Sequence, residues 1–198
     1  MDPTDLQASP ASAELALFTV PTIQFTLISY ARQILDALVR GQSLPAHPSL
    51  SPAIAVLHPG LFVTLKSSVG LRGCIGQLTG KSDILSTIRE LAYSAAFEDP
   101  RFYPVQESEL SDIRMELSIL TQPCPVSGWQ EIQLGDQGIR LRLRGRQAVF
   151  LPHVAGEQGW DLPATLRALA AKAGLDQDDW RNADCRFEVF WAIHFGEP

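Results

Sequence analysis

Between Leu71 and Gly76 the chain reads Leu-Arg-Gly-Cys-Ile-Gly, and this segment gathers the residue types best suited to chemistry. In an extended strand the two-residue period puts Arg72, Cys74 and Gly76 on one face and Ile75 on the other. A fixed cation beside a thiol favours the thiolate, which is the nucleophilic and metal-binding form of cysteine. The spacing therefore predicts a Cys74 activated by Arg72. Glycines at 70, 73 and 76 remove side chains around that thiol, so that a ligand or another stretch of backbone can approach. A plainer reading stands beside this one: Cys74 as a small buried hydrophobe, Arg72 as an ion-pair partner, and glycines that serve sheet curvature.

Other reactive candidates are scattered. In Asp99-Pro100-Arg101-Phe102, Pro100 stops the preceding helix and leaves Asp99 and Arg101 beside a tight turn. There they either bind polar ligand groups or pair with each other. Glu116, on the polar side of its strand, is a solvated carboxylate or, on a concave sheet, a general base. His153 follows Leu151-Pro152 and is either a loop histidine or the partner of Cys74 in a Cys-His pair. His47, His58 and His194 form no metal-ligand spacing, so no metal site is expected. Arg140, Arg142, Arg144 and Arg146 make a basic strand face that suits an anionic partner or simply protects a strand edge with charge. P-loop, dinucleotide-binding and Gly-x-Ser-x-Gly patterns are absent.

These residues need elements to hold them. Residues 1–20 predict a loose arm, poor in residues to bury at its start. Leu27, Ile28, Ala31, Ile34, Leu35 and Leu38 repeat at helical spacing over Ile23–Arg40, with Thr22 as cap and Gly41 as stop. Residues 42–59, with four prolines, read as a surface connection. Leu61, Val63 and Leu65 alternate with polar or aromatic neighbours, and a turn at 67–70 returns the chain through Arg72–Leu78 as a hairpin. Ser82 then caps a helix through Ile84, Ile88, Leu91 and Ala95 that ends before Asp99. Ile113, Met115, Leu117 and Ile119 alternate along the next strand.

The same order recurs. Ile139, Leu141 and Leu143 open a second hairpin with a turn at Gly145-Arg146, Asp161 caps a helix closed by Gly174, and Cys185 to Phe195 alternate along one final strand. Hairpin, helix, strand thus occurs twice, and the expectation is an α+β fold of two repeats. The repeats are expected to share a largely antiparallel, barrel-like sheet with helices outside, two abutting sheets being the alternative, in one domain over residues 21–198 or in lobes near 21–125 and 126–198.

The 198 residues, 45% of them hydrophobic, suffice for a sizeable core. A formal charge of −6 offers no general attraction for phosphate backbones or anionic membranes, so nucleic acid and membrane partners are not expected. Cys74, Cys124 and Cys185 are odd in number and lack a Cys-x-x-Cys pair. Reduced thiols in a cytoplasmic protein follow, since no signal segment or anchor is evident.

At this point the motifs converge. Gly60–Leu65, Leu71–Gly76, Asp99–Phe102, Glu116-Leu117-Ser118, Phe150-Leu151-Pro152, Trp160-Asp161 and Lys172–Leu175 resemble the AMMECR domain family, called AmmeMemoRadiSam system protein A in prokaryotes. The likeness runs from about Ile23 to Phe195. It implies an α+β fold with two repeats on a barrel-like sheet, and association with a radical-SAM protein and a Memo-like protein. It carries the family hallmarks onto Arg72, Gly73, Cys74 and Gly76, and onto Asp99 and Arg101. The family commonly has Gln after Leu-Pro where this chain has His153, which weakens the Cys-His pair. No cofactor and no substrate, small molecule or protein, is named by residues or resemblance. Three readings stay open: an enzyme or enzyme component using Cys74, a non-catalytic interaction module, and a carrier for an anionic ligand on Arg72 and Arg101.

Overall fold

The computed structural model describes residues 10–198, with side chains from residue 13 onward, so the first nine residues of the arm expected over 1–20 lie outside it. The chain divides into two compact units, one of residues 10–121 with Ile193–Pro198, the other of Gln122–Ala192. No helix among the described residues is long and apolar enough to cross a membrane.

The first unit begins with helix α1 (Pro10–Ala16), a stretch expected to belong to a loose arm; Leu15 and Phe18 bury there because they have an apolar surface to meet. Helix α2 (Pro21–Val39) starts earlier than expected, since Pro21 supplies the preset φ of a first helical residue and no side chain caps it. A short helix α3 (Pro52–Ala55) sits within the proline-rich connection and buries Ile54. Strands β1 (Gly60–Ser67) and β2 (Gly70–Gln77) form the hairpin. Helix α4 (Ile84–Phe97) is capped by Asp83 rather than Ser82, because the Asp83 carboxylate accepts from the Leu85 and Ser86 N–H groups. Strand β3 (Arg114–Leu120) pairs antiparallel with β1, and the sheet order is β2-β1-β3-β8, where β8 is the late strand Ala192–Gly196. Leu61, Val63, Leu65, Met115 and Leu117 are fully buried on the face where α2 and α4 pack. The opposite face of this sheet carries the polar residues.

The second unit holds β4 (Cys124–Val126), β5 (Gly138–Leu143), β6 (Arg146–Phe150), helices α5 (Pro152–Gln158) and α6 (Leu162–Lys172), and β7 (Arg186–Phe190), with sheet order β4-β7-β5-β6. Its core joins Ile139, Leu141 and Leu143 to Leu166, Leu169, Trp180, Phe187 and Val189. The hairpin turns at Arg144-Gly145, one residue earlier than expected, with both residues at positive φ as a two-residue hairpin loop requires. The final strand is two: β7 stays with this unit and β8 (Ala192–Gly196) joins the first sheet. The two-residue period that suggests one strand fails at Val189 and Phe190, which are both buried. Among the described residues the result is a mixed α and β fold with two open, antiparallel, four-stranded sheets and six helices; the hydrogen bonding there does not close them into the single barrel-like sheet expected.

Candidate functional site

β2 is an edge strand, and an edge residue presents backbone groups that need partners. At Cys74 the turn after α4 supplies both. The Cys74 N–H donates to Asp99 Oδ2 at 2.8 Å, and Arg101 Nη2 donates to the Cys74 carbonyl at 3.0 Å. The two side chains also bind each other: Asp99 Oδ1 accepts from Arg101 N–H at 3.1 Å and Nε at 2.9 Å, and Asp99 Oδ2 accepts from Nη2 at 2.6 Å. Pro100 ends the helix, and the Phe102 N–H closes the turn on the Asp99 carbonyl. Asp99 is only 4% exposed. Its carboxyl is held down to about 2, chiefly by the Arg101 hydrogen bonds against the opposing cost of burial, with the Cys74 N–H adding to the effect. An ionised Asp-Arg pair thus stands in for a neighbouring strand over one residue.

Arg72 does not serve Cys74 as the two-residue period predicts. Leu65 pairs with Gly73 and Lys66 with Leu71, so Arg72 is the extra residue of a β-bulge, where alternation breaks. Its guanidinium is committed to Glu109, through Nε at 2.6 Å and Nη2 at 3.1 Å, and to the Tyr103 carbonyl at 2.9 Å. The cation that interacts with the Cys74 side chain is Arg101, whose pKa is raised first by Asp99 and in smaller part by that thiol. Phe102 lies between the two arginines, with ring centroid distances of 5.8 Å to Arg72 and 5.4 Å to Arg101.

The glycines fit close backbone packing. A Cβ at Gly73 would lie 2.3 Å from the Ala95 carbonyl oxygen of α4, and one at Gly76 would lie 2.2 Å from the Phe62 ring. Those spaces are filled by the protein itself.

The Cys74 sulfur turns to the polar face of the first sheet. Residues directly opposite in an antiparallel ladder share a face, and Thr64 is opposite both Cys74 on β2 and Glu116 on β3. Thr64 Oγ1 donates to Cys74 Sγ at 3.4 Å. Glu116 meets Lys66 Nζ at 2.9 Å and His194 Nε2 at 3.5 Å, while His194 Nδ1 lies 3.0 Å from Ser118 Oγ. Ser118 is 1% exposed, so it offers no open hydroxyl nucleophile. Glu116 stands two strands from Cys74, about 10 Å across the sheet, with Thr64 between them. His153 lies in α5 of the other unit. Sequence reasoning missed Thr64, Lys66, Ser118 and His194, whose association depends on strand register. The only local signal was the Glu-Leu-Ser spacing that puts Glu116 and Ser118 on one face.

Comparison with known proteins agrees with this architecture. The AMMECR1 family model matches residues 28–195. A protein of Methanothermobacter thermautotrophicus is 35% identical over 178 residues, covering 87% of this chain and 93% of that protein. One from Methanopyrus kandleri is 40% identical over 147 residues, covering 70% and 71%. The crystal structure of an uncharacterized protein from Pyrococcus horikoshii superposes with a TM-score of 0.80 at 30% identity, over 86% of this chain and 89% of that one.

Proposed function

From the premise that this chain belongs to the AMMECR1 family, we propose that it is an enzyme component whose reactive group is the Cys74 thiol, working with a radical-SAM protein and a Memo-like protein. The observation that carries this reading is the sulfur's setting: a hydroxyl donates to it, and its backbone N–H and carbonyl are held by Asp99 and Arg101. The Thr64 hydroxyl and the fixed backbone hold the sulfur in one direction of attack. Glu116 with His194 is the proton-carrying pair on the same face. The matching strand orders β2-β1-β3 and β6-β5-β7 support a duplicated unit as the origin of the fold.

Alkylation by iodoacetamide at fixed pH tests the thiol. Cys185 is buried and its thiol is pushed up to about 11, mainly by burial, so exposed Cys124 is the internal reference. Cys74 is expected to react faster than Cys124, and Thr64→Val to slow it by about threefold to tenfold, since the variant removes the hydroxyl that holds the sulfur. Cys74 reacting no faster than Cys124, or at an unchanged rate in the variant, overturns the reading.

A purely interaction-based role has its own supporting observation. Beside Arg72, Tyr103 is 89% exposed and Leu71 and Val69 are exposed on the same hairpin edge, a distribution that suits protein contact. Tyr103→Ser is expected to weaken association with the radical-SAM partner at least tenfold in a titration while leaving Cys74 alkylation unchanged. Association as tight as that of the parent protein removes this edge from the interface. The anionic-ligand carrier loses support, because Arg72 is held by Glu109 and the Cys74 N–H by Asp99.

A further inference from the structure

The second sheet turns a basic face outward. A cavity of about 680 Å³ there is lined by Arg140, Arg142, Arg144, Arg146 and Arg186, with Asp184 as the acidic residue of the lining, in a chain of formal charge −6. Register makes the crowding specific: Arg142 on β5 lies directly opposite Arg186 on β7. Like charges directly opposite across a ladder destabilise it unless something neutralises them.

The protein supplies little neutralisation. Arg142, whose side chain is 56% exposed, reaches Glu188 at 4.0 Å, and Glu188 is already engaged by Arg140 at 3.2 Å. Arg144 meets Asp179 at 3.4 Å. Arg186 donates to the Ala183 carbonyl at 3.0 Å, and Arg146 donates to the Gly174 carbonyl. Carbonyls orient these two guanidiniums and leave their charge uncancelled. An arginine keeps five N–H donors, so each retains several for a ligand.

We infer that this concavity is a binding site for a compact polyanion bearing phosphoryl groups. Planar guanidinium forks match phosphoryl oxygens in pairs, and Arg142 and Arg186 on neighbouring strands are about 5 Å apart in the ladder, close enough to grip one such group. The hairpin arginines Arg144 and Arg146 extend the site toward a second. A small ligand inside the cavity feels this local positive field. A long nucleic acid strand would meet the net negative charge of the whole molecule, which disfavours it.

Inorganic tripolyphosphate, titrated by calorimetry at constant ionic strength, is the probe. The full chain is expected to bind it saturably. Arg142→Gln with Arg186→Gln is expected to weaken binding at least tenfold while the free variant melts at or above the parent temperature, because an opposed like-charge pair has been removed. Arg167→Gln with Arg181→Gln removes the same charge from exposed arginines outside the lining and is expected to bind as the parent does. Equal weakening by both double variants would reduce the effect to net charge and overturn the site. So would the absence of saturable binding, or binding of a single-stranded oligonucleotide that tripolyphosphate does not displace.

Discussion

Asp99→Asn is expected to lower the unfolding free energy by about 2 kcal/mol at neutral pH, with the difference disappearing in acid. The displacement of the Asp99 carboxyl from 3.8 to about 2 corresponds to about 2.5 kcal/mol of preference for the ionised form in the folded chain. Its principal partner, the Arg101 side chain, is 52% exposed, so solvent screens part of that and about 2 kcal/mol is the figure to carry. A folded pKa below the unfolded one gives stabilisation that is complete above the unfolded value near 3.8. It is lost as pH falls through about 2. Urea unfolding of parent and variant should therefore differ by a constant amount from pH 7 to about pH 5, and the gap should close between about pH 4 and pH 2. A gap that persists unchanged to pH 2 would mean that an ionised Asp99 is not what holds the turn. The variant should also slow alkylation of Cys74, since an edge strand released from its clamp no longer fixes the sulfur.

That coupling explains how much of the site was legible beforehand. Local periodicity located the hairpins and helices because the buried positions Leu61, Val63, Leu65, Ile88, Ala92, Met115 and Leu117 repeat at strand or helix spacing. The unusual concentration of glycine, charge and sulfur in Leu71–Gly76 and Asp99–Phe102 was visible. What the two motifs do to each other was not: the Cys74 N–H donates to the Asp99 carboxylate across 25 residues. The bulge at Arg72 was hidden for a related reason. It is a mismatch between two strands and exists only in their register, so no period within β2 alone reports it. One added residue turned the expected cation away from the thiol, and a residue on a distant turn took its place. His194 was missed because the closing strand returns to β3. There Ser118 faces His194 while the Glu197 N–H bonds the Met115 carbonyl, an antiparallel pairing that depends on the whole fold.

The glycine at 73 separates a binding groove from a packing contact by experiment. If Gly73 were small so that a ligand could approach, Gly73→Ala would narrow the groove and leave the fold intact. The Cβ, however, would lie 2.3 Å from the Ala95 carbonyl oxygen, far inside any van der Waals contact, and that oxygen belongs to backbone that cannot rotate aside. Relief would require β2 to leave β1 or the last turn of α4 to move, and both are bound to the buried core by Leu65, Ala92 and Ala95. Overpacking of this kind costs about 1–3 kcal/mol where side chains can adjust, so a backbone clash belongs at or beyond about 3 kcal/mol. Gly156→Ala in α5 is the control: beyond its chain neighbours and its own helix backbone nothing lies within 4 Å of its Cβ position, and helix propensity favours alanine by about 0.5–1 kcal/mol. Thermal melts of the two variants are thus expected to move in opposite directions. A Gly73→Ala protein that melts with the parent would show that strand and helix can part without penalty, and the glycine would then be free for a ligand after all. Stability falling together with Cys74 reactivity would instead place Gly73 in the same role as Asp99, as a residue that acts on the sulfur by fixing the strand beneath it.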